Sequence, residues 1–504
     1  MEFFLIETMC HPKHEFSSLQ NESDNGSSRI LRRSLNSCVP GPIGNKAFNM
    51  PRRIIVVGGG AAGTASALEA RRNDRTAEIT LINREKLPEY SRCGLPYVIS
   101  RVIPKPENVI IHEEPALRQM MRINLRLHTE ATDIDMKNRI VKTKDLDTGE
   151  EGSLPFDSLI LALGAKPGTA PVPGLEGKKN VFKLRTMHDA EEISKFASPG
   201  KTAGILGASL IGMELAEALA YLKVKVIIIH RSPETLSTLL DPDLSSLIRV
   251  EAEKEGIKFA LSTTIQEIGG NEKVDWVKTA AGETFHVDFM IVATGTPPET
   301  ELAVRIGANT GKNDGILVDD HMCIGVEGVY AAGDCVEYPD MMSGQPSLIQ
   351  LGTIAVRMGR VAGANAAGGD VTLPPLLGTT TSRLFGLEIG TVGYSTRDMN
   401  RKGMKPPIYG KTTTLTKPEY FPTGKPITAK LLVNGDTHKI MGAQIVGAED
   451  VAQRANVIAL AMTQGLTVEE LRKLETCYAP PVAPIWDPII LAAEGAARRL
   501  KAGK

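Results

Sequence analysis

The sequence predicts an α/β protein in which two strand–glycine loop–helix–strand units are nested, one interrupting the other, followed by an α+β segment. Three observations predict it. An apolar strand runs straight into a spaced glycine loop twice, at 58–63 and at 207–212. Two further apolar strands end in glycine, at Gly164 and Gly295. A third strand-like stretch ends in Ala332-Gly333-Asp334, and it comes only after the second unit is complete.

Residues 53–57 (Arg-Ile-Ile-Val-Val) read as a buried parallel strand. They lead into Gly58-x-Gly60-x-x-Gly63, then a helical pattern over 64–72 and a second strand over 78–82. Strand, glycine loop, helix and strand make a Rossmann-like dinucleotide-binding unit. The glycines serve the tight turn, the approach of a diphosphate and the packing of helix on strand, and the helix N-terminus faces the anion. The pattern recurs as a strand over 202–206, the loop Gly207-Ala208-Ser209-Leu210-Ile211-Gly212, a helix over 213–222 and a strand over 224–229. Ser209 stands where the middle glycine would be and is small enough to preserve the phosphate approach. After a strand-end Gly, Asp334 can accept a hydrogen bond from a ribitol hydroxyl; standing alone, Gly-Asp would be a simple turn.

The order of these features divides the chain. One dinucleotide unit occupies 51–165 and resumes at 299–372; a second fills 166–298. The segment 375–496 has strands over 388–393, 428–433 and 439–446 and helices over 451–464 and 468–474, the texture of an α+β cap or interface domain.

A chain of 504 residues is too long for a single core. Apolar content of 42% with 23% charge is that of a globular protein, and a net charge of −1 argues against a general nucleic-acid or membrane surface. No apolar run reaches the roughly 20 residues of a membrane span. Cys10, Cys38, Cys93, Cys323, Cys335 and Cys477 are scattered without CxxC spacing, so neither a disulfide scaffold nor a metal site is expected, and a reducing cytoplasm is the expected compartment. Residues 1–49 are rich in Ser, Asn, Gly and Pro from Ser17 onward and are expected to be disordered, with Met50 as the natural start.

The arrangement resembles the pyridine nucleotide-disulfide oxidoreductase family from Arg52 to about Gly495. Within it, Tyr90-Ser91-Arg92-Cys93-Gly94-Leu95-Pro96-Tyr97 resembles the redox site. Many members carry a Cys-x4-Cys pair; here Val98 stands five after Cys93. The lone cysteine is similar to the branch of coenzyme A-disulfide reductase, NAD(P)H sulfur or polysulfide reductase, NADH oxidase and NADH peroxidase. This resemblance implies an FAD site formed by Gly58, Gly60, Ala61, Ala62, Gly63, Asn83, Arg84, Arg92, Ala131, Gly164, Gly333 and Asp334. It implies an NAD(P)H site formed by Gly207, Ser209, Leu210, Ile211, Gly212, Glu214, His230, Arg231 and Gly295, and a C-terminal dimerisation domain. Electrons would pass from NAD(P)H through the flavin to Cys93, held as a mixed disulfide, persulfide or sulfenic acid. Arg92 and nearby helix N-termini would lower the thiol pKa from ~8.5.

Other residues narrow the branch. The peroxidase His of the first loop is replaced by Ala61, which argues against peroxide chemistry. Tyr478-Ala479-Pro480-Pro481 and Tyr420 resemble the coenzyme A-disulfide reductase side, where both tyrosines reach the partner's cysteine across a homodimer. His230-Arg231 lacks the carboxylate that NAD-specific relatives place there, so NADPH is expected to be preferred or at least accepted, with NADH the other possibility. Three departures stand out. Asn83 replaces the usual ribose-binding Glu; Leu210 replaces a flavin-shielding Tyr; and Trp486, with Glu89 and Met121, suits a phosphorylated nucleotide poorly. Arg72 and its neighbours Arg71 and Arg75 could meet coenzyme A phosphates, or form a solvated helix end favoured by the dipole. Arg72, Arg92 and Trp486 are the candidate substrate residues. Cys477 beside Tyr478 fits a small-residue slot, with a place near the partner's Cys93 in the implied dimer as the alternative, and Cys335 reads as structural. The acceptor is expected to be a small disulfide, polysulfide or sulfur. The alternatives are oxygen, reduced through a Cys93 sulfenic acid, and a slow redox-sensing flavoprotein with a protein partner.

Overall fold

The structure, a computed structural model, describes residues 50–170 and 172–503. The expectations for residues 1–49 lie outside the described residues.

The first sheet is parallel, in the order Val329–Ala331, Ser158–Leu161, Arg53–Val57, Glu78–Ile82, Ile123–Arg126. Ile55 pairs with both Thr80 and Leu159, and Val329 pairs in turn with Leu159. The strand that follows the interrupting unit therefore docks beside the strand that precedes it, which is the nesting read from the sequence. Four of these strands are apolar and buried on both faces, as parallel strands covered by helices must be. Helix Gly352–Ala366 crosses helix Ala61–Asn73 backbone to backbone: a side chain at Gly359 would lie 2.3 Å from the Ala62 carbonyl oxygen.

The second sheet is also parallel, in the order Lys258–Ala260, Lys225–Ile229, Thr202–Leu206, Phe289–Val292, Val181–Phe182. The C-terminal sheet is antiparallel, in the order Thr379–Leu384, Leu387–Gly393, Ile440–Gly447, Pro426–Val433, Ile408–Leu415. Helices Val451–Thr463 and Pro488–Lys501 pack their apolar faces on it. The latter helix runs past the expected limit at 496.

Both dinucleotide-loop helices begin three residues earlier than the sequence pattern placed them, at Ala61 and Leu210. The glycine loop itself supplies the first helical turn, with Gly60 and Ser209 as N-caps. Two three-stranded antiparallel sheets were not legible: Thr129–Asp135 with Ile140–Asp145 and Glu151–Pro155, and Ile265–Gly269 with Trp276–Thr279 and Thr284–His286. Their strands are short and partly solvent-facing, so apolar alternation is weak.

The second unit is pinned to the C-terminal sheet by buried Asp241. Its carboxylate accepts from the Thr396 backbone N–H and hydroxyl at 2.9 and 2.7 Å and pairs with Lys430 Nζ at 2.9 Å. Its backbone N–H donates to Gln444 Oε1 at 2.7 Å. Among the described residues, no helix is long and apolar enough to cross a membrane.

Candidate redox site

The two glycine loops share one geometry. Gly58 has φ +110° and Gly207 has φ +116°, a backbone region that strongly disfavours side chains. A Cβ on Gly63 would lie 1.7 Å from the Gly58 carbonyl oxygen, and one on Gly212 would lie 2.1 Å from that of Gly207. The middle position differs. At Gly60 a Cβ would meet nothing within 4 Å, so space stands open before the helix N-terminus. Ser209 fills that position in the second loop and turns its hydroxyl back to donate to the Ala293 carbonyl at 3.2 Å, away from the approach. Neither helix has a side-chain cap. Uncapped N–H groups at both helix N-termini fit a dinucleotide diphosphate, facing an open glycine position in the first loop and a serine hydroxyl turned aside in the second.

Gly164, Gly333 and Asp334 gather at the carboxyl ends of the first sheet. A residue the sequence reading missed joins them. The Arg185 guanidinium lies against Gly164, where a Cβ would come within 2.9 Å of Nη2, and it pairs with Asp334 at 3.4 Å. The signal was available: Arg185 immediately precedes the capping box Thr186–Asp189 at a strand–helix junction.

Cys93 sits in the tight turn Arg92–Gly94, which leads into helix Leu95–Ile99. The turn is held by a polar network. Arg92 pairs with Glu85 at 2.6 Å, donates to the Arg185 carbonyl at 2.8 Å and stacks 5.2 Å from the Tyr90 ring centroid. The buried Tyr90 hydroxyl donates to Glu85 at 2.5 Å and accepts from Met187 N–H at 2.9 Å. Desolvation is the main cause of the rise in its pKa.

This network corrects one expectation. The Cys93 thiol is pushed above the ordinary cysteine range, not below it. Desolvation by the surrounding walls is the largest cause, followed by the carboxylates of Glu214 and Asp334; Arg185 pulls the other way. Cys93 itself is exposed, so the desolvation is partial. Arg92 spends its charge on Glu85 instead of the thiol.

The remaining predicted residues divide by their partners. Asn83 is buried against Gly59, and its amide donates to the Leu87 carbonyl at 2.8 Å; this nitrogen is engaged within the chain. Arg84 is exposed and pairs with Glu130 at 3.5 Å, while Ala131 lies buried in a strand of the antiparallel insertion. Ala61 and Ala62 open the first helix, and Leu210 and Ile211 the second. A Cβ at Gly295 would meet no described atom within 4 Å, while its carbonyl accepts from the Gly168 N–H at 2.7 Å. Arg72 is exposed and paired with Glu69 at 3.2 Å. Arg71 caps the backbone carbonyls of Met121, Arg122, Asp74 and Arg75 and is structural. Glu89 pairs with His112 at 2.7 Å. Cys335 is fully buried, as expected of a structural residue. Trp486 is exposed. Tyr420 and Tyr478, 58 residues apart in sequence, meet hydroxyl to hydroxyl at 2.8 Å, and both are exposed.

Glu214 is half-buried on helix Leu210–Tyr221 and accepts from Ser382 at 2.9 Å. Desolvation pushes its carboxyl up to about 7, with neighbouring Glu217 adding to the rise and Ser382 opposing it. The folded chain keeps a proton here between pH 4.5 and about 7 that the unfolded chain has released. Stability is therefore lost as pH rises through that window, by at most about 3 kcal/mol. Glu214→Gln removes the titration. At pH 8 the variant is expected to melt higher by an amount worth about 1–3 kcal/mol, and near pH 4.5 to match the wild type. Thermal unfolding at both pH values checks this.

Two dinucleotide cradles meeting at one cysteine-bearing turn define an FAD-dependent NAD(P)H oxidoreductase. Residues 52–359 match the family described as pyridine nucleotide-disulphide oxidoreductase, and residues 380–488 match its dimerisation domain. The chain belongs to this family. It is 38% identical to an NADH oxidase of Methanocaldococcus jannaschii over 89% of this chain and 99% of that protein. It is 31% identical to an NAD(P)H coenzyme A polysulfide/persulfide reductase of Pyrococcus horikoshii, over 88% of this chain and 98% of that protein. A solved NAD-dependent persulfide reductase from A. fulgidus superposes with a TM-score of 0.85 at 31% identity, covering 90% of this chain and 84% of that one.

Proposed function

We propose that the protein reduces a small disulfide, persulfide or polysulfide with electrons from NAD(P)H, and that Cys93 is its redox-active residue. The observation that supports this most is the lone Cys93 turn, to which Asp334 of the first unit and Glu214 of the second are both electrostatically coupled. FAD, when bound, accepts hydride from NAD(P)H and passes an electron pair to sulfur. The chain's own residues do the rest. The first loop, with Gly164, Gly333, Asp334 and Arg185, binds FAD; the second loop, with Glu214, Gly295 and His230, binds NAD(P)H. The Arg92–Glu85–Tyr90 network fixes the turn. The departing sulfur needs a proton donor. The Tyr420–Tyr478 pair supplies one: the two exposed hydroxyls lie 2.8 Å apart, so a proton that one gives to sulfur can be replaced from the other. We place the pair at the partner's Cys93 in a homodimer, which accounts for two exposed tyrosines side by side. A reducing cytoplasm is the compartment we propose.

Leu210 favours a second reading. A leucine in place of a shielding aromatic leaves the flavin face more open to oxygen, and Cys93 would then cycle through a sulfenic acid.

NAD(P)H oxidation under argon tests the two. Coenzyme A disulfide or polysulfide is expected to support turnover with release of thiol or sulfide. Turnover only in the presence of oxygen would replace the first reading with the second.

A further inference from the structure

Strand Lys225–Ile229 ends at His230, beside the second glycine loop. The Ala208 backbone N–H donates to His230 Nδ1 at 3.3 Å. With Nδ1 accepting, the neutral ring carries its proton on Nε2. Nε2 is buried and has no partner among the described residues, a situation buried polar atoms rarely tolerate without a ligand or water to fill it. Burial first, then the charges of Arg231 and Arg397, lower the basicity of this ring; both charges acting on it are positive.

Arg397 comes from a distant part of the chain. It lies on helix Thr396–Arg401, beyond the strand Leu387–Gly393 of the C-terminal sheet. Its guanidinium donates to the Ser237 carbonyl at 3.3 Å and hydroxyl at 2.7 Å, in the loop that follows His230. Its neighbour Thr396 is the residue anchored to Asp241. The same contact that docks the second unit on the C-terminal sheet thus brings a cation to the end of this strand.

A ribose diol is best held by an acceptor that takes both hydroxyls, and His230 Nε2–H with two guanidiniums offers only donors. A phosphate monoester dianion is the matching ligand. We propose that His230, Arg231 and Arg397 form a receptor for the 2′-phosphate of NADPH, with Arg397 as a specificity-determining residue contributed by the C-terminal part of the chain. The proposal rests on the NAD(P)H reading of the second loop but not on the chemistry of Cys93.

Calorimetric titration of the FAD-loaded protein tests it without turnover, so its failure is distinct from failure of the sulfur-reductase reading. Adenosine 2′,5′-bisphosphate is expected to bind at least tenfold more tightly than adenosine 5′-monophosphate. Arg397→Gln should narrow that ratio at least fivefold while leaving the monophosphate affinity unchanged, and Arg397→Lys should restore part of it. Equal affinities for the two ligands in the wild type would overturn the proposal. So would an unchanged ratio in Arg397→Gln, which would leave the site without its C-terminal contribution.

Discussion

Cys93→Ser is expected to lower acceptor-dependent NAD(P)H oxidation by on the order of 10³-fold or more, while rapid loss of the yellow absorbance on adding NAD(P)H stays within about threefold of wild type. The split follows from the site. Cys93 contributes no group to either glycine cradle, so cofactor binding and the first half of the reaction do not need its sulfur. The second half requires a bond to that sulfur, and a serine hydroxyl cannot form a disulfide, persulfide or sulfenic acid. Among the described residues, Cys323 and Cys335 are buried in the core and cannot stand in for it, whereas Cys477 is exposed, and the double variant Cys93→Ser/Cys477→Ser removes it as a substitute. Stopped-flow absorbance beside steady-state turnover reads both halves. Equal loss of both would place Cys93 in the cofactor site instead.

Gly63→Ala is expected to yield protein with no bound flavin and a stability lower by about 3–5 kcal/mol. The added methyl would sit 1.7 Å from the Gly58 carbonyl oxygen, far inside contact distance, and Gly58 cannot yield because its own Cβ position is blocked by the Ala162 carbonyl oxygen at 2.1 Å. Helix and strand would have to part. Gly60→Ala is the control: its methyl meets no atom of the described residues within 4 Å, so the fold should survive and only the fit of the diphosphate should suffer. Flavin content per chain and the melting temperature of the two variants separate packing from ligand approach.

The parts legible in the sequence are those where backbone geometry leaves a residue little choice. The glycine loops and the glycine-ended strands declare themselves because other residues are excluded there, and the nested order follows from their sequence. Long-range pairing of side chains was hidden. Arg185 reaches Asp334 across 149 residues, and Arg397 reaches Ser237 across 160. The raised Cys93 thiol was misread for the same reason. Arg92 is adjacent in sequence and looks like the neighbouring cation, but Glu85 claims it, while Glu214 and Asp334 come from elsewhere in the chain. The Tyr420–Tyr478 contact was foreseen only through the resemblance of both segments to a known pattern; each tyrosine alone reads as interface packing.

The nesting has a consequence for synthesis. Helix Ala61–Asn73 finds its covering helix Gly352–Ala366 only after 293 further residues, and strand Ser158–Leu161 waits for Val329–Ala331. At roughly 5–20 residues per second, the ribosome takes on the order of 15–60 s to deliver the missing pieces. During that interval the first unit carries an unpaired strand edge and an uncovered helix, while the interrupting unit, continuous in sequence, is already free to close. The order of domain completion on the ribosome is therefore the reverse of the order of first appearance, and the half-built flavin unit is the stage at which a nascent chain most needs a chaperone.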